Sequence, residues 1–163
     1  MTRQALRCLG VAACALAAVV APAASAAQAP GVIRLVSVTT SIKEIDRPPE
    51  GASTGDSVRE TSRLLNEVAQ FGRPRQAVVG SDRAVQRLRL SPRSLTVDGV
   101  ATLPGGTLSF RGTVERAAQG GIVIPVVAGT GRYLGARGIL WIVTVQNPER
   151  TLNIYRLTYA RFA

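Results

Sequence analysis

The sequence predicts an all-β domain, a small antiparallel barrel, and three observations carry that reading. Gly and Pro break the chain at short intervals after residue 30, and β-branched residues fill the gaps. Apolar and polar residues alternate with a period of two. Leu108, Phe110 and Val114 fall on one face, and Thr107, Ser109, Arg111, Thr113 and Glu115 on the other. Such alternation buries one face and wets the other. There is no β-α-β rhythm, which leaves a sandwich or a closed barrel. Closure suits this chain because it removes exposed edges from a sheet rich in β-branched residues.

The elements follow in order. The first strand is expected over 32–45, with Val36, Val38 and Ile42 in one parity. Pro48-Pro49 and Gly51 make a loop, since tandem prolines cannot donate to a ladder. Residues 58–68 suit either state by pattern; propensity alone favours a helix, but the segment is expected to be a strand on the resemblance described below. Two short strands, 76–80 and 83–90, are expected on either side of Gly80-Ser81-Asp82. Leu95, Val97, Ala101 and Leu103 define the next strand, and Pro104-Gly105-Gly106 turns it into 107–115. After Gly120-Gly121, residues 122–127 are apolar on both faces and read as a covered strand, as do 139–145 with Trp141. Asn147-Pro148-Glu149-Arg150 leads into a last strand over 152–162. That makes eight or nine strands.

The first 29 residues differ from the rest. Arg3 and Arg7 precede an apolar run, and Ala24-Ser25-Ala26 has the small-x-small pattern of a cleavage site. Residues 1–26 read as a secretory signal peptide and 27–163 as one barrel domain, secreted or periplasmic. The alternatives are an uncleaved anchor, for which the run is short, and a lipoprotein carried by Cys14 in Val11-Ala12-Ala13-Cys14. Both cysteines, Cys8 and Cys14, lie in this leader, and the chain has no histidine. A Cys/His zinc site, a Ser-His-Asp triad and a Cys-His dyad are therefore excluded from the barrel. Eighteen of the twenty basic residues and all ten acidic ones follow residue 26, and six arginines fall between Arg73 and Arg93. They read either as a contact for an anionic surface or as a solvated rim. Nucleic acid is not expected, because the chain lacks the interleaved aromatics of a single-strand binder.

The most informative stretch is Val126-Val127-Ala128-Gly129-Thr130-Gly131-Arg132-Tyr133-Leu134-Gly135-Ala136-Arg137-Gly138. Physically it is a strand ending in a glycine-bracketed turn, where Gly129 and Gly131 permit positive φ and Thr130 bonds nearby backbone. No Gly-Lys-Ser/Thr follows, so it is not a phosphate-binding loop. The stretch resembles the signature of dirigent proteins and the allene oxide cyclase-like barrels, with Ala128 standing where the family has Gly. Glu44-Ile45-Asp46-Arg47, Gly55-Asp56 with Leu64-Leu65, and Val79-Gly80 extend the resemblance more weakly. It implies an eight-stranded antiparallel barrel, often trimeric, around an apolar cavity, with no metal or organic cofactor.

Residue by residue, the resemblance carries over unevenly. The plant cyclases' first-strand Glu and Asn fall on Ser41 and Lys43, their second-strand Asn on Ser62, and their pocket Cys near Gln86. Allene oxide cyclase activity is therefore not implied. The dirigent Asp after Gly-Thr-Gly falls on Arg132, its second-strand partner is roughly Glu60, and Arg137 matches a dirigent pocket residue. The candidate catalytic residues are thus Arg137, Tyr133 and Glu60; the candidate ligand-binding residues are Arg137, Tyr133 and Trp141. Arg137 reads equally well as a structural tie, because its five donors suit loop carbonyls. Tyr133 and Trp141 read first as packing aromatics and second as site residues. Glu60 and Asp82 also form a candidate acid-base pair, against the usual surface placement of carboxylates.

Three functions fit. The first is a module that binds or orients a small apolar or aromatic molecule without covalent chemistry of its own. The second is a cofactor-independent cyclase or isomerase of specialised metabolism. The third is a cell-envelope structural protein with a filled core.

Overall fold

The computed structural model describes residues 31–90, 93–115, 121–145 and 149–159. The leader, Cys14, Gly120, Asn147-Pro148 and Phe162 lie outside them. Eight strands form a closed antiparallel barrel in chain order: β1 (Val32–Ile45), β2 (Ser57–Asn66), β3 (Val78–Leu90), β4 (Arg93–Leu103), β5 (Gly106–Glu115), β6 (Ile122–Gly129), β7 (Ala136–Thr144) and β8 (Arg150–Tyr159). The ladder from Val32↔Arg156 to Val38↔Arg150 joins β8 back to β1 and seals the sheet. A 3₁₀ turn, Gly131–Tyr133, links β6 to β7.

Residues 57–66 are strand, as the resemblance implied, because pairing on both sides with β1 and β3 outweighs their local helix propensity. Other expectations are corrected. The two short strands around Gly80 are one strand, β3: Ser81 and Asp82 pair with Arg63 and Ser62 and continue the ladder. On β1 the inward residues are Ile33, Leu35 and Ser37, which are buried, whereas Val36 and Val38 face outward and Ile42 is 58 % exposed. A register shift between Thr39 and Ser41 bends this strand, so one parity does not describe its whole length. Neither β6 nor β7 is covered on its outer side, since Val123, Val127 and Ile139 are exposed there.

The barrel has two different ends. At one end lie the 67–77 loop, the β4–β5 turn and the β6–β7 turn. Behind them Ile33, Leu35, Leu64, Leu108, Tyr133 and Tyr155 are fully buried. Asn66, also fully buried, donates from Nδ2 to the carbonyls of Gln70 (2.9 Å), Arg73 (3.0 Å) and Pro74 (3.2 Å), and so holds the 67–77 loop in place. Gln70 exchanges two bonds with the Arg34 backbone, accepting at 3.2 Å and donating at 2.6 Å, which ties the loop to β1. At the other end the core side chains thin out and the interior is hollow.

The glycine-rich stretch is the plug of the packed end. Thr130 pairs with Thr107 through backbone and side chain, the two hydroxyls lying 2.8 Å apart. The Arg132 amide donates to the Gly105 carbonyl at 2.8 Å. Tyr133 turns inward and its hydroxyl donates to the Pro104 carbonyl at 3.2 Å. Gly131 does take positive φ, at 57°. Gly129 does not: it is required because a Cβ there would collide with the Tyr133 carbonyl as the chain folds back.

Candidate functional site

Inward side chains from all eight strands enclose a cavity of about 170 Å³ in the mouth half. Its walls differ. Leu95, Val97, Phe110 and Val114 from β4 and β5, with Ile122, Ile124, Leu140 and Ile142 from β6 and β7, make an apolar side. Ser37, Glu60, Ser62, Asp82, Thr151 and Asn153 from β1, β2, β3 and β8 make a polar one. Gln86 and Leu95 are shared with a wider recess of about 330 Å³ at the mouth, lined also by Glu44, Asp46, Asp56 and Leu88. A mostly apolar hollow with a few convergent polar groups is the usual form of a small-molecule site.

Period-2 geometry places the acids. Glu60 and Ser62 share the inward parity of β2 with Leu64 and Asn66; Asp82 and Ala84 share that of β3. Ladder pairing sets Ser62 directly beside Asp82. Glu60 Oε1 accepts from Thr39 Oγ1 at 2.6 Å and from Ser62 Oγ at 3.3 Å. Asp82 is only 8 % exposed. Burial raises its pKa to about 6; the Ser62 hydroxyl opposes the rise, the charge of Glu60 adds to it, and the Ser37 hydroxyl opposes it again. Below the cavity Tyr155 is fully buried, with a hydroxyl that makes no hydrogen bond. Burial, and then the charge of Asp82, drive its pKa upward.

The other expected site residues are dispersed. Tyr133 belongs to the plug, and burial pushes its hydroxyl up to about 12. Arg137 is exposed on the outer face of β7, where its guanidinium donates to the Ala136 carbonyl at 2.9 Å. Trp141 shares that outward parity and is half-buried outside the barrel. Of the four, only Glu60 lines the cavity, and Asp82, expected at the surface, joins it there. Ser62 and Gln86, aligned by resemblance with pocket positions, line it too, whereas Ser41 and Lys43 are exposed.

No protein-family model matches the chain, and no curated protein matches it either. Solved structures do. A pyocyanin demethylase superposes with a TM-score of 0.60 at 18 % identity, covering 78 % of this chain and 99 % of its own. The barrel is a dirigent-like, allene oxide cyclase-like fold. The Diels-Alderase AbmU from Streptomyces koyangensis shares that fold with a TM-score of 0.60 at 19 % identity, over 79 % of this chain and 64 % of the other. So does the pterocarpan synthase dirigent protein GePTS1, with a TM-score of 0.57 at 16 % identity, over 79 % and 90 %.

Proposed function

We propose that this chain is a barrel that binds and orients a small apolar or aromatic molecule in its mouth-half cavity, without covalent chemistry of its own. The observation that carries this reading is the cavity itself, to which all eight strands contribute. Holding a guest in one pose against a dry wall selects its reactive geometry without a dedicated catalytic group. Dirigent proteins and Diels-Alderases on the same fold support the reading. A filled structural core does not describe the mouth half.

Native mass spectrometry of the purified barrel tests this. The expected result is a co-purifying apolar compound that is lost in Ala84→Phe, which fills the cavity from β3. Retention of the same compound by that variant would sink the reading.

A second reading is a cofactor-independent cyclase or isomerase, favoured by Asp82: a carboxyl that titrates near 6 in a buried hollow can both give and take a proton. Turnover abolished in Asp82→Asn with binding retained would establish it. Export through residues 1–26 belongs to the same proposal.

Contact with other surfaces is proposed from the barrel exterior. Arg59, Arg63, Arg83, Arg87 and Arg89 stand exposed on the outer faces of β2 and β3 and suit an anionic surface. Arg73 and Arg75 are drawn into backbone bonds instead, to Val78 and Glu67. The exposed apolar residues Val123 and Ile139 on β6 and β7 suit a homotrimer contact.

A further inference from the structure

We propose that the cavity takes an amphipathic cation: a molecule of about one ring's size bearing a protonated amine, its nitrogen against Glu60 and Asp82 and its apolar body against Phe110, Ile124 and Leu140. This rests on the reading of the cavity as a binding site and names the class of guest.

The argument begins with charge. The chain carries twenty basic residues and ten acidic ones. Around the cavity and its mouth that balance is inverted. Glu44, Asp46, Asp56, Glu60 and Asp82 line them, and no lysine or arginine is among the described lining residues. Asp56 is partly spent: it accepts from the Ser53 amide, the Ser53 hydroxyl and the Arg47 amide, and Arg47 also lies within its field. The two deeper acids have only neutral donors. One Ser62 hydroxyl faces both Glu60 and Asp82, and it has a single proton to give. Two carboxylates on adjacent strands, one buried and one half-buried, with only hydroxyl groups to donate to them, repel one another. An ammonium group brings three donors and the opposite charge to that place.

Tyr155 is the independent sign. It faces inward from β8, paired with the cavity residue Leu140, and is fully buried. Its hydroxyl lies in the field of Asp82 and has no hydrogen-bond partner. A buried hydroxyl without a partner thus lies behind the lining in the field of Asp82, while the wall facing the acids is apolar. A cation of mixed character satisfies both walls. A carboxylate guest would add a third negative charge to a pair that already repels.

Other groups around Asp82 do not compensate. Glu60 faces it from β2 and Tyr155 from β8, while β1 offers Ser37 and β4 offers Ala101. Amine binding should therefore weaken as pH falls and Asp82 takes up a proton, although the amine itself stays charged.

Phenethylamine, phenethyl alcohol and phenylacetate form a matched set of probes for calorimetry, with methyl NMR of Ile124 and Ile142 to locate the bound guest. At pH 8 the amine is expected to bind at least ~10-fold tighter than the alcohol, a preference worth about 1.4 kcal/mol, with the carboxylate weakest. Lowering the pH to 5 should erase most of that preference. Glu60→Gln and Asp82→Asn should each reduce amine affinity several-fold and leave the alcohol unchanged. Gln86→Glu, which adds an acid without removing a wall group, should tighten the amine. Equal affinity for amine and alcohol, or a preference for amine that survives the double Glu60→Gln, Asp82→Asn variant, would overturn the proposal while leaving the cavity a binding site. If none of the three probes perturbs the two isoleucine methyls, the binding reading falls and this one with it.

Discussion

The two ends of the barrel are built from the same alternating strands and reach opposite results. At the plugged end the inward positions are Ile33, Leu35, Leu64, Asn66, Leu108 and Tyr155, and the β6–β7 turn adds Tyr133. Large side chains meet from all directions and leave no room. At the mouth the inward positions of β1, β2 and β3 are Ser37, Glu60, Ser62, Asp82 and Ala84, too short or too polar to fill the centre. The apolar residues of β4 to β7 therefore face a gap. The comparison teaches that alternation sets which residues point inward, while side-chain volume and polarity decide whether the inside is solid. One end supplies stability and the other accepts some loss of it.

The largest test of that contrast is at the plug. Tyr133→Ala should cost about 3–5 kcal/mol in denaturant unfolding, the usual range for removing a buried aromatic. A small loss there would break the comparison. Asp82→Asn should act in the opposite direction. The folded-state carboxyl titrates at about 6, above its ordinary 3.8, so the protonated form favours folding and stability falls as pH rises between those values. The variant should gain about 2–3 kcal/mol above pH 6 and nothing below the lower value. Melting curves across that range would show it; a variant no more stable than the parent at pH 8 would contradict the buried-acid account. Next, Ile142→Ala at the half-buried mouth wall should cost about 1 kcal/mol, against roughly 2–5 for Leu108→Ala in the packed half. Equal costs would mean the halves are equally filled. The smallest effect should come from Arg137→Ala. Outside the barrel, it should change stability by less than about 0.5 kcal/mol and leave cavity binding intact, as calorimetry with phenethylamine would check.

Most of the fold was legible in the sequence because it depends on period and punctuation. Leu108, Phe110 and Val114 are inward as their alternation requires, and Pro104-Gly105-Gly106 turns the chain where expected. Closure itself was an inference from edges and resemblance. Local signals mislead where long-range pairing decides. The helix propensity of residues 57–66 yields to the strand the resemblance implied once β1 and β3 flank them, and Gly80 reads as a break although the Thr102 carbonyl lies against it in a continuous strand.

The site was much harder to read. The one clear motif, 126–138, specifies the plug, so it points to Tyr133 and Arg137 for reasons that belong to the opposite end. Glu60 was reached by alignment. Nothing in the neighbours of Asp82 announces burial; only the register Asp82↔Ser62, set by the whole β2–β3 ladder, turns it inward. A run of small and polar inward residues on three consecutive strands is the signal that could have located the hollow.

The β1–β8 closure has a further consequence. The backbone enters the barrel at Gly31, whose carbonyl accepts from the Leu157 amide at 2.6 Å, and the last strand finishes beside it at Tyr159. Entry and exit thus share the stoppered pole. A tether or fusion partner joined directly before Gly31 or directly after Tyr159 would attach at the pole opposite the opening, and a barrel immobilised that way would face the surrounding medium like a cup held by its base.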